Sequence, residues 1–198
     1  MDYLVTMTTQ VPDGVTEADV AAVRAREAAH TAELARAGRV LRLWRPPLRP
    51  GEWRTLGLFA ADGAEELEQT LVGMPLRVWR TDTVTPLLPH PNDPGPGRVG
   101  LDPQWPEFLT TFVVDIPPGT PGAAVDAITA REALRAQELA ADGHLLRLWA
   151  LSGQGRNLGL WQARDAEELA EVVRSLPMFD WLAVDTVPLT AHPSDPVG

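Results

Sequence analysis

The tetrapeptide Leu-Arg-Leu-Trp occurs at Leu41–Trp44 and again, 105 residues later, at Leu146–Trp149. Outward from it, toward the N-terminus, the same interval joins Arg26-Glu27 to Arg131-Glu132. Self-similarity at a fixed interval indicates that one structural unit is repeated. A chain of 198 residues has room for two units of roughly 90 to 100 residues each, so the sequence predicts a tandem duplication.

Downstream of the tetrapeptide the interval falls to 102 residues, as shown by AEEL at 64–67 and 166–169 and by His90-Pro91 and His192-Pro193. The shortening falls after Trp149, where the first copy has RPPLRPGEWRT. A change of length there indicates a surface loop, interpreted as the tip of a hairpin. Between the copies, residues 92–106 are dense in Pro and Gly, which is typical of a linker. The predicted units are therefore residues 1–91 and 107–198.

Both copies show the same order of local signals. Residues 3–9 and 108–114 favour strands, and each is followed by a long helix. The first helix begins at Thr16, and the second has Thr120 before it with Pro121 at its first position. A strand containing the tetrapeptide, a hairpin partner, a short helix with AEEL and a last strand complete each copy. This βαββαβ order predicts an α+β fold of two ferredoxin-like units, each with four antiparallel strands and two helices on one face.

The second face of each predicted sheet is not covered by the helices of its own unit. Apolar side chains alternate on both faces of the strands, so the uncovered face needs a partner. Two copies in one chain can provide it by packing sheet against sheet. Two independent units on a flexible linker are the alternative.

The composition excludes several classes of function. The formal net charge of −10 argues against nucleic acid or an anionic membrane as a partner. Without cysteine or lysine, the chain has no thiolate nucleophile, disulfide or Schiff-base lysine. No metal-ligand cluster, signal peptide or membrane-spanning run stands out, so a cytoplasmic protein without a metal site is expected.

A carboxylate lies on the core-facing stripe of each long helix. At helical periodicity Glu27 shares this stripe with Val23 and Leu34, and Glu132 is its counterpart in the second copy. A buried carboxylate is either paired or kept partly neutral by a raised pKa, and a raised pKa suits a group that transfers protons near neutral pH. The structural alternative is an ion pair with a basic neighbour on the same helix: Arg24, His30 or Arg135.

Other candidates have bland interpretations of equal weight. The seven tryptophans suggest aromatic walls of a cavity, and Trp44 and Trp149 recur between the copies, but core packing explains them as well. The neighbouring arginines of these strands either meet an anionic substrate or form a solvated face. His90 and His192, each followed by proline, are interpreted as surface turns.

With these features the chain resembles the muconolactone delta-isomerases. The matching stretches are RARE at 24–27 and TARE at 129–132, the repeated tetrapeptide with its hairpin, LPMFDW at 176–181, and TVPLTAHP at 186–193. The resemblance covers the chain apart from the linker. It implies a dimeric α+β barrel, here formed within one chain, and a cofactor-free isomerase that removes a proton from a lactone and returns it to another carbon.

On this resemblance the catalytic residues are Glu27 and Glu132. The substrate-binding residues, with the two tryptophans included as candidate walls, are Arg24, Arg26, His30, Trp44, Arg45, Arg131, Arg135, Trp149 and Asn157. Neither copy has the full set, because Arg24 and Arg45 become Thr129 and Ala150 in the second copy, and Asn157 becomes Thr55 in the first. We therefore expect one open and one filled pocket, with the second copy as the active site.

The expected function is a cofactor-independent isomerase that acts on an unsaturated lactone, a small-molecule partner, with self-association into a homodimer or higher oligomer. One alternative is a natural-product cyclase, or a cofactor-free oxygenase, acting on a polyketide-like compound. Another is a binding module without catalysis. The discriminating feature is the glutamate: an enzyme holds it at an accessible cavity wall, and a binding module holds it in an ion pair.

Overall fold

The computed structural model describes residues 1–197. The chain divides into two compact units whose ends differ from those of the sequence repeat. The first unit contains Met1–Leu87 together with the chain from Thr190 onward, and the second contains Leu88–Leu189. The first repeat therefore ends inside the second unit, and the second repeat ends inside the first. We call these two segments, which begin at Leu88 and at Thr190, the exchanged chain ends.

The first unit has the predicted βαββαβ order. Its elements are β1 (Asp2–Thr9), α1 (Glu17–Arg36), β2 (Val40–Arg45), β3 (Arg54–Ala60), α2 (Ala64–Gly73) and β4 (Arg80–Pro89), of which Leu88 and Pro89 belong to the second unit. A 3-10 turn, Pro75–Trp79, lies between α2 and β4. The strands pair antiparallel in the order β4-β1-β3-β2, which confirms the ferredoxin-like pattern.

The second unit repeats this plan. Its elements are β5 (Glu107–Val114), α3 (Gly122–Ala141), β6 (Leu145–Ala150), β7 (Arg156–Gln162), α4 (Ala166–Arg174) and β8 (Leu182–Ala191), of which Thr190 and Ala191 belong to the first unit. Its strands pair antiparallel in the order β8-β5-β7-β6. None of the helices among residues 1–197 is both long and apolar enough to cross a bilayer.

The two long helices begin differently and end alike. The Thr16 hydroxyl caps α1 by accepting a backbone hydrogen bond from its first turn, as predicted. Pro121 lies just before α3 rather than at its first helical position, and the Thr120 hydroxyl donates to a carbonyl of the preceding loop instead of capping the helix. Gly38 and Gly143 follow the helices with φ of 71° and 85°, a left-handed conformation that favours glycine.

In each unit both helices pack on one face of the sheet. The first core includes Tyr3, Val5, Met7, Leu34, Leu43, Phe59, Leu67 and Leu71. The second includes Phe108, Phe112, Ala136, Leu139, Leu148, Trp161, Leu169 and Val173. A glycine in the third strand of each unit makes room for the aromatic ring two residues later, since a Cβ on Gly57 would overlap Phe59 and one on Gly159 would overlap Trp161.

The chain end that joins the first unit is anchored by strand pairing and a buried ion pair. Thr190 and Ala191 pair with the end of β2. Asp195 then accepts hydrogen bonds from Arg42 at 3.0 and 3.2 Å and from the backbone N–H of Leu43 at 2.7 Å. The two charged side chains are 10% and 1% exposed, so Arg42 is neither solvated nor open to a ligand.

The second unit holds the end of the first repeat in the same way. Leu88 and Pro89 pair with β6, and Asp93 accepts from Arg147 at 3.1 Å and from the backbone N–H of Leu148 at 2.9 Å. In each unit this ion pair anchors the exchanged chain end. In the sequence its aspartate lies three residues after the histidine of a His-Pro pair, and its arginine belongs to the repeated tetrapeptide.

The segment predicted as a linker packs against the second unit. The side chain of Gln162, 2% exposed, donates to the carbonyl of Gly100 at 2.8 Å and accepts from the N–H of Asp102 at 3.0 Å. Trp105 stacks on His144 with 5.2 Å between ring centroids. Residues 100–105 are therefore held by specific contacts within that unit.

Candidate functional site

In each unit a cavity lies between the long helix, the sheet and the exchanged chain end. The first cavity has a volume of about 270 Å³ and is lined by Arg24, Glu27 and His192 among others. The second has a volume of about 290 Å³ and is lined by His90 and Glu132 among others. The expectation of one open and one filled pocket is wrong, because the volumes are nearly equal. The linings differ.

In the first cavity Glu27 is held in an ion pair. Its side chain is 12% exposed and accepts from the backbone N–H of Leu76 at 2.8 Å and from Nη1 of Arg80 at 3.0 Å. Arg80, 2% exposed, also contacts Asp82, with 2.7 Å between Nε and Oδ1. The guanidinium therefore lies between two buried carboxylates and neutralises much of their charge, as the ion-pair alternative predicted for this copy, with a different partner.

A cationic wall lies on another side of the first cavity. The guanidinium of Arg24 sits 5.5 Å from the ring centroid of Trp53, and Arg45 is exposed. Neither arginine forms an ion pair with any residue from 1 to 197. The pKa of His192 is lowered, first by burial and then by Arg45 and Arg24. Asp195 partly opposes this shift.

In the second cavity Glu132 keeps the backbone contact of its counterpart but has no cationic partner. It accepts from the backbone N–H of Met178 at 3.0 Å, the residue equivalent to Leu76. Leu182 occupies the position of Arg80, and within residues 1–197 Glu132 forms no ion pair. Burial raises the pKa of Glu132, and the Met178 N–H opposes that shift only in part.

Apolar side chains dominate the rest of the second cavity, including Phe112, Leu145, Leu148 and Leu176. Two polar groups among them have no partner. The indole Nε1 of Trp161 is buried without a hydrogen-bond acceptor, and Asn157 makes no side-chain hydrogen bond with the residues described. A carbonyl oxygen bound in this cavity would find a donor in the Asn157 amide, whereas the Trp161 Nε1 packs against Gly159 and is inaccessible to a ligand.

The two His-Pro pairs form turns, as interpreted from the sequence, but their histidines are half-buried and line the cavities. Nδ1 of His90 accepts from the N–H of Asn92, and Nδ1 of His192 accepts from the N–H of Ser194, each at 3.1 Å. A neutral ring held this way has its proton on Nε2. Burial lowers the pKa of both histidines, and for His90 Asp93 partly opposes the shift.

The structure separates the predicted site residues into two groups. Those that line a cavity are Arg24, Glu27 and Arg45 in the first unit and Glu132 and Asn157 in the second. Those that do not are Arg26, His30, Trp44, Arg131, Arg135 and Trp149.

The second group has other contacts or faces solvent. Arg26 and Arg131 are exposed on the far side of their helices. Arg135 bonds to Ser175 and Glu138. The two tetrapeptide tryptophans are buried beneath their arginines, with the Arg147 guanidinium 4.6 Å from the Trp149 ring centroid. Their placement favours the core interpretation.

Sequence reasoning missed several lining residues: Trp53, Arg80, His90, Trp161 and His192. The repetition of His-Pro at the same interval was the signal available for the histidines. Arg80 and Leu182 differ between the copies, so repetition carried no signal for that position.

Comparisons with known proteins agree with this architecture. The family model described as muconolactone delta-isomerase matches twice, over residues 1–93 and 107–195. The muconolactone delta-isomerase of Rhodococcus opacus is 33% identical over 88 residues, which is 44% of this chain and 95% of that protein. The enzyme of the same name from Cupriavidus pinatubonensis is 31% identical over 87 residues, again 44% and 95%.

A likeness of fold alone extends over nearly the whole chain. Chlorite dismutase from Candidatus Nitrospira defluvii, in complex with imidazole, superposes with a TM-score of 0.64 at 13% identity, over 98% of this chain and 92% of that one. The two family matches, one for each copy of the unit, lead to a single assignment. This chain belongs to the muconolactone delta-isomerase family and carries the family's unit twice in tandem.

Proposed function

We propose that the protein is a cofactor-independent isomerase that shifts a double bond in an unsaturated lactone. In this reaction a carboxylate takes a proton from a carbon conjugated to the lactone carbonyl. The C–H electron pair moves into the ring to give a dienolate, with its charge on the carbonyl oxygen. The protonated carboxyl then returns the proton to the other end of the dienolate, so that no atom or electron is gained or lost.

The observation that carries the proposal is the environment of Glu132. It lies at the wall of an open cavity, keeps one backbone hydrogen bond, has no ion-pair partner within residues 1–197 and has a raised pKa. A carboxylate of this kind accepts a proton readily and gives it back at neutral pH. Asn157 is the candidate donor for the dienolate oxygen.

Substitution of each glutamate tests the proposal. Glu132→Gln keeps the shape and the contact with the Met178 N–H but removes the base, so turnover of an unsaturated lactone should fall by about 10²–10⁴-fold. Glu27→Gln should have a smaller effect, because Arg80 already neutralises that carboxylate. Rates are followed by NMR in D₂O, which also reports deuterium incorporation.

Asp126→Asn, an exposed change on the same helix as Glu132, is the matched control and should keep the wild-type rate. A Glu27→Gln/Glu132→Gln variant with wild-type turnover and exchange would show that both carboxylates are structural.

One observation favours binding without chemistry in the first unit. The buried Arg80 holds Glu27 in the ion pair expected of a binding module. Saturable lactone binding at the first cavity, with turnover insensitive to Glu27→Gln, would support this division.

The apolar lining of the second cavity also suits a polyketide-like carbonyl compound, on which the same carboxylate would promote cyclisation. Mass spectrometry of the product separates these activities. Isomerisation leaves the mass unchanged, cyclisation with loss of water lowers it, and oxygenation raises it.

For the architecture we propose that the sheet face opposite the helices is also buried in each unit. Support comes from residues on the sheet face opposite the helices. Leu58 and Leu160 point away from their helical cores and are both 3% exposed, so this face is covered as well.

A further inference from the structure

We infer that the two cavities of this chain select ligands of different charge: the second takes an uncharged carbonyl compound, and the first takes an organic carboxylate. For the second cavity this inference rests on the proposed function and names its substrate class. It follows from a comparison of equivalent positions in the two units.

Within residues 1–197 no arginine lines the second cavity to balance an anionic ligand. Thr129 and Ala150 stand where the first unit has Arg24 and Arg45. Its acidic group is Glu132, which is already disfavoured as an anion by burial. A second carboxylate placed beside it would be desolvated next to a like charge, and both effects oppose binding.

An uncharged carbonyl compound meets no such penalty there. The apolar wall of Leu145, Leu148 and Leu176 suits a ring or a short hydrocarbon chain. The side-chain amide of Asn157 suits one carbonyl oxygen. At about 290 Å³ the cavity lies at the lower end of the range for small-molecule sites, so the ligand is compact.

In the first cavity the charges of the lining side chains favour an anionic ligand. Glu27 and Asp82 share Arg80, whereas Arg24 and Arg45 have no acidic partner within residues 1–197. Arg24 and Arg45 line this cavity together with His192, whose pKa is lowered first by burial and then by these two charges. Two guanidinium groups in one cavity lining are suited to a carboxylate, because charge-assisted hydrogen bonds to carboxylates are strong.

A matched pair of probes tests the charge preference. One is a saturated five-membered lactone with a methyl substituent, and the other is the same lactone with a carboxymethyl substituent. Neither can undergo the double-bond shift, so binding is measured apart from catalysis. The protein is labelled with ¹⁵N, and the indole N–H resonances of Trp53 and Trp161, assigned with Trp→Phe variants, report the first and second cavity.

We expect the carboxymethyl lactone to shift the Trp53 resonance and the methyl lactone to shift that of Trp161. Two reciprocal variants place the residues of one cavity at the equivalent positions of the other. Arg24→Thr/Arg45→Ala should weaken carboxymethyl lactone binding at least tenfold, which is the effect of removing charge-assisted hydrogen bonds. Thr129→Arg/Ala150→Arg should create a second carboxymethyl lactone site that shifts Trp161. Arg26→Thr/Arg36→Ala removes the same charge from exposed positions of α1 and is the control.

The inference is overturned if both lactones shift the same indole resonance, or if the control variant weakens carboxymethyl lactone binding as much as Arg24→Thr/Arg45→Ala does. These outcomes are independent of proton transfer. If the charge preference holds while Glu132→Gln retains full isomerase activity, the proposed catalytic role fails and the inference about binding stands.

Discussion

Glu27 and Glu132 lie at equivalent positions of α1 and α3, and each accepts a hydrogen bond from the backbone N–H of an equivalent residue. Their environments differ through the residue at the start of the last strand, which is Arg80 in the first unit and Leu182 in the second. The arginine neutralises Glu27, whereas burial without a counter-charge raises the pKa of Glu132. A single position therefore decides which of the two carboxylates has a cationic partner.

Helical periodicity was sufficient to place both glutamates on the inner face of their helices, because that inference depends only on local spacing. It could not identify the partner of Glu27, since Arg80 lies 53 residues away along the chain. It also could not predict that Arg26 and Arg131, adjacent in sequence to the glutamates, face solvent on the other side.

The raised pKa of Glu132 predicts a specific effect of pH on stability. Its folded-state pKa lies above its unfolded value, so its contribution to stability is fully present below the unfolded pKa and is lost as pH rises through the folded pKa. Glu132→Gln removes this ionisation but keeps an acceptor for the Met178 N–H. The stability of the variant relative to wild type should therefore increase as pH rises from about 4 to 8.

Urea unfolding of both proteins across this pH range measures the difference. Asp126→Asn serves as the control, because that aspartate is exposed. A difference that stays constant with pH would show that Glu132 titrates normally in the folded protein.

At the scale of elements, the strand with the repeated tetrapeptide does more than supply core residues. Its arginine lies between a tryptophan ring and an aspartate of the exchanged chain end. The Arg42 guanidinium is 5.0 Å from the Trp44 ring centroid and donates to the Asp195 carboxylate at 3.0 Å. The order of strands and helices was predictable from local patterns. The anchor was not, since Arg42 and Asp195 are 153 residues apart.

Loss of the anchor should be costly. Asp195→Ala leaves the buried Arg42 without its carboxylate, and removal of one partner of a buried pair destabilises a protein by about 3–5 kcal/mol. Asp93→Ala should have a smaller effect, because its pair with Arg147 is more exposed, at 16% and 13%. Urea unfolding gives the free energies, and limited proteolysis reports release of the chain end that carries His192.

Asp185→Ala, a change of the same charge at an exposed position of β8, is the control and should leave stability within about 0.5 kcal/mol of wild type. Equal stability of Asp195→Ala and Asp185→Ala would mean that the buried pair does not hold the chain end.

At the scale of the whole molecule, duplication within one chain allows the two sites to diverge. Identical subunits must carry identical sites, whereas here Arg24, Arg45 and Arg80 of the first unit correspond to Thr129, Ala150 and Leu182 of the second. The two cavities keep nearly the same volume and the same glutamate, histidine and anchoring aspartate. Divergence is therefore concentrated in the charges that a ligand would meet.

The exchange of chain ends makes each unit depend on both repeats. A fragment of residues 1–97 retains Arg42 but lacks Asp195 and His192, and a fragment of residues 98–198 retains Arg147 but lacks Asp93 and His90. We expect neither fragment to be a stable monomer, because one leaves the buried Arg42 and the other the partly buried Arg147 without its partner. Co-expressed, the two fragments should co-purify as a one-to-one complex, since each provides the chain end that the other needs.

Light scattering measures the mass of this complex, and the ¹⁵N resonances of Trp53 and Trp161 report whether both cavities form. The complex should weaken when Asp93→Ala is introduced into the first fragment and Asp195→Ala into the second. Two separately folded monomeric fragments that do not bind each other would show that the exchanged ends are dispensable.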